Sequence, residues 1–222
     1  MDRHRIAIVI PALNESATIG AVVTAAMAYG VPIVVNDGSS DQTANLAQRA
    51  GAVVVSHTHN LGYDAALNSG FKKALELKSE VIITLDGDGQ HTPYLLQEFI
   101  DQINAGADVV VGIRSKRQRL AECVFSWYTT LYFGIKDPLC GMKAYRTPIY
   151  QALGYFDSYR SIGTELMIFA ATNGYRLNQI AFEVRERNSV SRFGQVIDGN
   201  YKIFRALLLS IWNQHAVSNA FR

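Results

Sequence analysis

Asp86 and Asp88 stand one residue apart in the string Asp86-Gly-Asp-Gly-Gln90-His91, directly after the apolar run Val81 to Leu85. Two carboxylates this close at the end of a buried strand repel each other, and desolvation strengthens the repulsion unless a cation lies between them. A divalent ion resolves the conflict. Magnesium or manganese takes oxygen donors and binds through one or two carboxylates completed by substrate phosphates, so the spacing points to Mg2+ or Mn2+. No glycine-rich cradle holds those phosphates: G-x-G-x-x-G does not follow the first apolar run, and G-x-x-x-x-G-K-[ST] does not occur. Arginine is then the phosphate partner, because its planar fork of N–H groups matches phosphate oxygens; Arg114, Arg187 and Arg192 are the candidates. Asp37, in Asn36-Asp-Gly-Ser-Ser-Asp41, can accept N–H bonds from a nucleobase.

These residues lie where short apolar runs end. Ile6 to Ile10, Val31 to Val35, Ala52 to Val55, Val81 to Leu85 and Val109 to Val111 are rich in Val and Ile without in-out alternation, as strands buried on both faces require. Between them Ser16 to Tyr29, Asp41 to Ala50, Gly62 to Leu77 and Pro93 to Asn104 read as helices, with Ser16 and Asp41 as caps. The alternation predicts an α/β fold, a mostly parallel sheet with helices on both faces, and such sheets bind ligands at the carboxyl ends of their strands. With 222 residues, 49% hydrophobic and 18% charged, the chain can pack a core, and no repeat or linker marks a second domain. A net charge of +2 gives no reason to expect nucleic acid as a partner. Cys123 and Cys140 form no CxxC unit, which disfavours a disulfide scaffold and a cysteine-zinc site and makes a reducing cytoplasm the expected location. No signal-peptide pattern opens the chain, and no segment approaches the roughly 18 apolar residues of a membrane span.

In order, Ile8-Val-Ile-Pro11-Ala12-Leu-Asn14-Glu15, Val35-Asn-Asp37-Gly-Ser-Ser-Asp41, Asn60-Leu-Gly62-Tyr-Asp-Ala-Ala66 and Asp86-Gly-Asp88-Gly-Gln90-His91 resemble the family-two glycosyltransferases of GT-A fold. Asp137-Pro-Leu-Cys-Gly141, Gly163-Thr-Glu165-Leu and Arg187-Asn-Ser-Val-Ser191-Arg192-Phe-Gly194 narrow the likeness to the dolichyl- and polyprenyl-phosphate sugar transferases. The resemblance implies a Rossmann-like domain over residues 1–222, with a nucleotide-binding half (1–112) and an acceptor-binding half (113–222). It implies transfer of a sugar, with inversion, from a GDP- or UDP-hexose donor to a lipid phosphate. The metal and donor phosphates would meet Asp86, Asp88 and Gln90; the nucleotide-sugar pocket would include Pro11, Ala12, Asn14, Glu15, Asp37 and Ser191. Arg114, Arg187 and Arg192 would contact donor or acceptor phosphate. Two departures stand out: Ile113 precedes Arg114 where the family has Ser, and Arg192 replaces a lysine. A phosphate acceptor is already ionised and needs no strong base, whereas a hydroxyl acceptor does; Glu165 is the candidate, with a first-turn carboxylate favoured by the helix dipole as its other reading.

Arg114-Ser-Lys116-Arg117-Gln-Arg119 packs four positive charges into six residues ahead of the apolar, aromatic stretch Leu120 to Phe133. The pairing suits an anionic lipid surface at the inner face of the membrane; its other reading is a helix buried against the sheet. Near the C-terminus Tyr201, Phe204, Leu208 and Ile211, with Leu207 and Trp212 alongside, fall at helical spacing and predict a docking helix. His57 and His59 read as edge or loop histidines. Two other functions compete. A sugar nucleotidyltransferase would carry a basic, glycine-rich loop in place of Pro11 to Glu15, and a non-catalytic binding module would not need Asp37, Asp86 and Asp88 at successive strand ends.

Overall fold

The computed structural model describes residues 1–89, 94–115, 119–183 and 196–220, with only the backbone for 196–199 and 213–220. Its centre is a seven-stranded sheet of β1 (Ile6–Ala12), β2 (Val31–Asn36), β3 (Val53–Ser56), β4 (Val81–Thr84), β5 (Val109–Arg114), β6 (Lys143–Arg146) and β7 (Leu177–Phe182). The order is β3-β2-β1-β4-β6-β5-β7. Only β6 runs antiparallel, between β4 and β5. All five apolar runs form strands. β6 and β7 were not expected. β6 carries Lys143 and Arg146, which a buried strand seldom does, and β7 is an edge strand with one face in water.

Side-chain alternation along β1 divides the core into two layers. Ile6, Ile8 and Ile10 face α1 (Ile19–Ala26), α2 (Thr43–Arg49) and α4 (Leu95–Asn104). Ala7 and Val9 face α3 (Tyr63–Glu76), α6 (Thr147–Leu153) and α7 (Glu165–Thr172). Helices therefore cover both faces, as expected of a sheet built on consecutive βα units. β3 is an exception to two-sided burial: it lies at the sheet edge and is only partly covered.

The remaining helices are α5 (Leu120–Phe133) and α8 (Val196–Ala220), which pack together through Ala121 and Phe125 against Ile203, Ala206 and Leu207. Of the residues expected to dock the C-terminal helix, Leu207 does pack inward, but most of the others do not. Tyr201, Phe204, Leu208 and Trp212 point to solvent, and Ile211 is only partly buried. The helix is apolar on two sides, and the side bearing small Ala206 is the one that fits against Ala121. α5 is not wrapped in core either, because Leu120, Trp127 and Leu131 are exposed.

Candidate functional site

Strand order decides where a site can form. The chain leaves β1 for β2 on one side, while β4 pairs on the other, so a crevice opens beyond the carboxyl ends of β1 and β4. The Pro11–Glu15 loop, the 37–41 loop and the Asp86–Gly89 turn all emerge there. Asn14 stitches the first two together: its Oδ1 accepts from Ser40 N at 2.9 Å, and its N–H donates to Ser39 Oγ at 2.9 Å. To do so it adopts φ +51°, a left-handed conformation that asparagine tolerates better than most residues. Asp41 lies one residue before Gln42, the N-cap of α2, and accepts from Thr43 N at 2.9 Å. Ser16 caps no helix; its N–H donates to Asp41 Oδ2 at 3.1 Å, and α1 begins only at Ile19. Together these bonds hold the Asp41 carboxyl at a pKa of about 2 against the upward push of burial.

The carboxylate turn is fastened to this floor by Thr18, whose hydroxyl donates to Gly87 O at 2.8 Å. On the far side lies the loop that precedes β6. A Cβ placed on Gly141 would come within 2.3 Å of Asp86 Oδ2, so the Asp86 carboxylate occupies the volume that any other residue would fill. Asp86 and Asp88 supply only oxygen donors on a partly exposed turn, a donor set that fits Mg2+ or Mn2+. Among the described residues no group of three or more His, Cys, Asp or Glu gathers into a metal cage. Two carboxylates leave coordination positions that phosphate oxygens can complete. Gln90, Arg187, Ser191 and Arg192, along with His91, lie outside the described residues.

Asp37 is more enclosed than the sequence suggested. Only 4% of its surface is exposed, and its two oxygens accept from Leu61 N and Gly62 N, each at 2.9 Å. His57 Nδ1 donates to the same carboxylate at 2.7 Å, and its Nε2 lies 2.9 Å from Ser69 Oγ on α3. The carboxylate thus shapes the 57–62 loop beside the crevice. Gly38 belongs to the same construction, with φ +75° and no room for a Cβ, which would meet the His59 carbonyl carbon at 2.5 Å. His57 gave no signal in the sequence, since its partners lie 20 residues before it and 12 after it. Asp37→Ala is expected to cost about 2 kcal/mol, because two buried N–H groups lose their acceptor, and to lower Tm by about 4–8 °C in thermal unfolding. An unchanged Tm would show that the loop holds its shape without this carboxylate.

Arg114 also proves different in kind. Its Nε donates to Asp137 Oδ2 at 2.8 Å, and its Nη2 to Asp137 Oδ1 at 2.9 Å and Glu122 Oε2 at 3.2 Å. The fork is therefore engaged with two buried carboxylates, and the cluster ties the end of β5 to α5 and to the loop before β6. It is not part of a surface run of four cations. Lys116 and Arg117 lie outside the described residues. Burial favours a neutral Asp137, but the bonds and charge of Arg114 outweigh it and hold the carboxyl below its ordinary value.

Lys143, at the start of β6, is buried and donates from Nζ to Gly163 O at 2.7 Å. Burial draws its pKa down to about 8 against the opposing pull of Cys140, Asp137, Asp64 and Asp157. The loop it supports carries Arg160, Ile162 and Gly163 at φ of +59°, +60° and +68°. For β-branched Ile162 this is a strained conformation, of the kind that persists where surrounding bonds over-determine it. Here the Asp157 carboxylate supplies them, accepting from the backbone N–H groups of Ser161 and Gly163 at 3.0 Å and from the Ser161 hydroxyl. The loop ends at Glu165, the first residue of α7, whose oxygens accept from Ser158 N at 2.6 Å and from Ser158 Oγ at 2.9 and 3.0 Å. Half-burial raises the Glu165 pKa above the ordinary glutamate value, although the Ser158 bonds oppose it.

Comparison with known proteins places this arrangement. An uncharacterized protein of Methanocaldococcus jannaschii is 29% identical over 96% of this chain and 95% of its own length. The dolichyl-phosphate hexose transferase of Haloferax volcanii is 28% identical over 82% of this chain and 83% of its own length. An undecaprenyl-phosphate 4-deoxy-4-formamido-L-arabinose transferase of Pseudomonas fluorescens is 33% identical over 68% of this chain and 49% of its own length. Among solved structures, glucosyl-3-phosphoglycerate synthase of Mycobacterium tuberculosis in complex with Mn2+, UDP and glucosyl-3-phosphoglycerate superposes with a TM-score of 0.75 at 20% identity. The match covers 93% of this chain and 79% of that one. The fold is therefore that of the GT-A glycosyltransferases. The sequence model of glycosyl transferase family 2 matches residues 7–160, from β1 through the Asp86–Asp88 turn to the Asp157 loop, and the chain belongs to that family.

Proposed function

We propose that the protein is an inverting hexosyltransferase that moves a sugar from a GDP- or UDP-hexose to a polyprenyl or dolichyl phosphate. The observation that carries this reading is the paired carboxylate turn at the β1–β4 crevice, pinned by Thr18 and facing Gly141. Residues 1–112 supply the donor side: Pro11, Ala12, Asn14 and Glu15 would line the nucleoside, and Asp37 holds the 57–62 loop beside it. Asp86, Asp88 and Gln90 would hold the Mg2+ or Mn2+, which neutralises charge on the departing diphosphate. Residues 113–222 supply the acceptor side. Arg187, Ser191 and Arg192 would contact phosphate, and Arg114 keeps the β5 end in place through Asp137 and Glu122. An acceptor phosphate oxygen attacks C1 of the sugar, the bond from C1 to the diphosphate oxygen breaks, and its electron pair leaves with the nucleoside diphosphate. Similarity to the Haloferax and Pseudomonas transferases, whose names specify lipid-phosphate acceptors, supports that acceptor. The expected location is the cytoplasmic face of a membrane; among the described residues no helix is long and apolar enough to cross one.

Incubation with GDP- and UDP-sugars, Mn2+ or Mg2+, and a short-chain polyprenyl phosphate should release nucleoside diphosphate and form a sugar-phosphate lipid. Diphosphate release with no lipid product under any donor would overturn the acceptor assignment.

The raised pKa of Glu165 and its fixed position favour a second reading, transfer to a glycan hydroxyl with Glu165 as base. The two readings separate in one variant. On a lipid phosphate, Glu165→Gln should retain activity within about tenfold, since no proton need be removed. On a hydroxyl acceptor it would cost about 100-fold. The wild-type rate would also fall with acidification through a pKa above the ordinary glutamate value, because the protonated carboxyl accepts no proton. A flat acid limb with a hydroxyl acceptor would remove Glu165 from that role.

A further inference from the structure

Among the described residues two buried side-chain atoms lack a hydrogen-bond partner, Asp64 Oδ1 and Tyr145 Oη. Both surround one carboxylate, that of Asp157, whose charge acts on each of them. Asp157 itself is fully engaged with the backbone of its loop, accepting from Tyr159 N at 3.2 Å and from Ser161 N and Gly163 N at 3.0 Å. Asp64 meets the same loop from the first turn of α3, where the N–H groups of Ile162 and Gly163 lie close enough to its carboxyl to favour the charged form. Asn68, one helical turn on, donates from Nδ2 to Asp157 O at 2.7 Å and accepts from Phe156 N at 2.7 Å. From β6, Lys143 donates to Gly163 O. Two carboxylates set around one buried ammonium, with an oxygen left unpartnered, are not what stability alone favours.

We infer that Asp64 is a positioning residue for the acceptor side: with Asn68 and Lys143 it clamps the 156–163 loop, and through that loop it fixes the place of Glu165. The inference rests on the assignment of residues 113–222 to the acceptor. The loop connects to the site at both ends of its strained stretch. A Cβ on Gly163 would lie 3.7 Å from the Tyr63 ring, and Tyr63 is near enough to Asp86 to feel its charge. Glu165 N donates to Ser161 Oγ at 3.1 Å, so a shift of Ser161 moves the start of α7. The clamp closes with Asp64 neutral. Burial and the charge of Asp157 raise its pKa to about 7, against the pull of the loop N–H groups and Lys143. The groups facing it are Asp157 from the loop, Lys143 from β6 and the Tyr63 phenol beside it on α3. Once Asp64 ionises, two carboxylates repel each other across a backbone already strained at Ile162, and the loop is what yields.

Arg160 is exposed in the loop, while the N–H of Ser161 after it is held by Asp157, so tryptic cleavage of the native chain after Arg160 reads the clamp without any substrate. Early digestion of the full chain is followed by the mass of the fragment ending at Arg160, with trypsin standardised at each pH on a short arginine substrate. In the wild type this cleavage should rise about tenfold from pH 6 to pH 8, as the ionised share of Asp64 grows from about a tenth to about nine tenths. Lys143, at about 8, loses its proton in a linked step, and Asp64→Asn retains that step while removing the other. The asparagine protein should therefore show little rise. Asp64→Ala should be cut about tenfold faster than wild type already at pH 6. It should also raise the KM for a short-chain polyprenyl phosphate about tenfold and leave the KM for the nucleotide sugar within about twofold, and Asp64→Asn should restore the acceptor KM. Equal cleavage of the three proteins, a rise with pH that Asp64→Asn keeps in full, or a loosened loop with the acceptor KM unmoved would each overturn the inference. Lack of wild-type turnover on any polyprenyl phosphate would instead sink the lipid-phosphate reading, and the same KM comparison made on a glycan hydroxyl acceptor, beside the cleavage pattern, then decides for or against the clamp.

Discussion

Asp88→Asn is expected to lower sugar transfer by about 1,000-fold while the protein remains folded. The substitution keeps the shape of the side chain and removes one negative charge from a turn that already bends through Gly87 and Gly89. It touches no core layer, so Tm should stay within about 2 °C, as for a substitution at a partly exposed turn. Activity is another matter. Stabilising charge on a leaving diphosphate in a fixed, partly dry site contributes several kcal/mol, and each 1.4 kcal/mol is about tenfold in rate. Nucleoside diphosphate release at saturating Mn2+, measured beside the thermal melt, decides the matter. Full activity after chelation and metal replenishment would remove Asp88 from the metal site and leave the turn a structural feature.

The apolar runs are legible because strands buried on both faces are rich in Val and Ile without alternation, a pattern that the edge strand β3 shares although it is only partly covered. Their carboxyl ends are legible for the same reason, so the sequence alone puts Asn14, Asp37, Asp86 and Asp88 on one side of the sheet. What could not be read depends on partners distant in sequence. Arg114 looks like a free phosphate donor until Asp137, 23 residues later, is seen to occupy its fork. Asp37 likewise looks like an open acceptor until the 57–62 loop folds back onto it. β6 is not legible because Lys143–Arg146 has no strand signature: its lysine is tolerated in the core because it donates a hydrogen bond to Gly163 O and nearby carboxylates offset its charge. The apolar stripe of α8 is legible, but of its residues only Leu207 and Ile211 pack inward, since periodicity defines a face without saying what covers it.

The antiparallel insertion of β6 is also what completes the site, and Gly141→Ala tests it. Lys143 pairs with Thr84 at the end of β4, which brings the preceding loop against the carboxylate turn. That loop cannot retreat easily. Thr84 Oγ1 donates to Gly141 O at 2.6 Å and accepts from Lys143 N at 3.0 Å, while Met142 O accepts from Gly112 N at 3.0 Å. A new Cβ at 2.3 Å from Asp86 Oδ2 and 2.8 Å from its Cγ must therefore displace the Asp86 side chain rather than the backbone behind it. Gly141 is not among the residues with positive φ, so alanine adds no backbone strain there and the folded state should be nearly as stable as before. Activity should fall about 100-fold, because an ångström of misplacement at a charge-stabilising group is costly. Steric displacement makes a further demand that simple destabilisation does not. Once Asp86 has been shortened to alanine the clash is gone, so adding Gly141→Ala to Asp86→Ala should change activity by less than about twofold. Additive losses in that cycle would mean that Gly141 serves the site by some route other than making room for the Asp86 carboxylate.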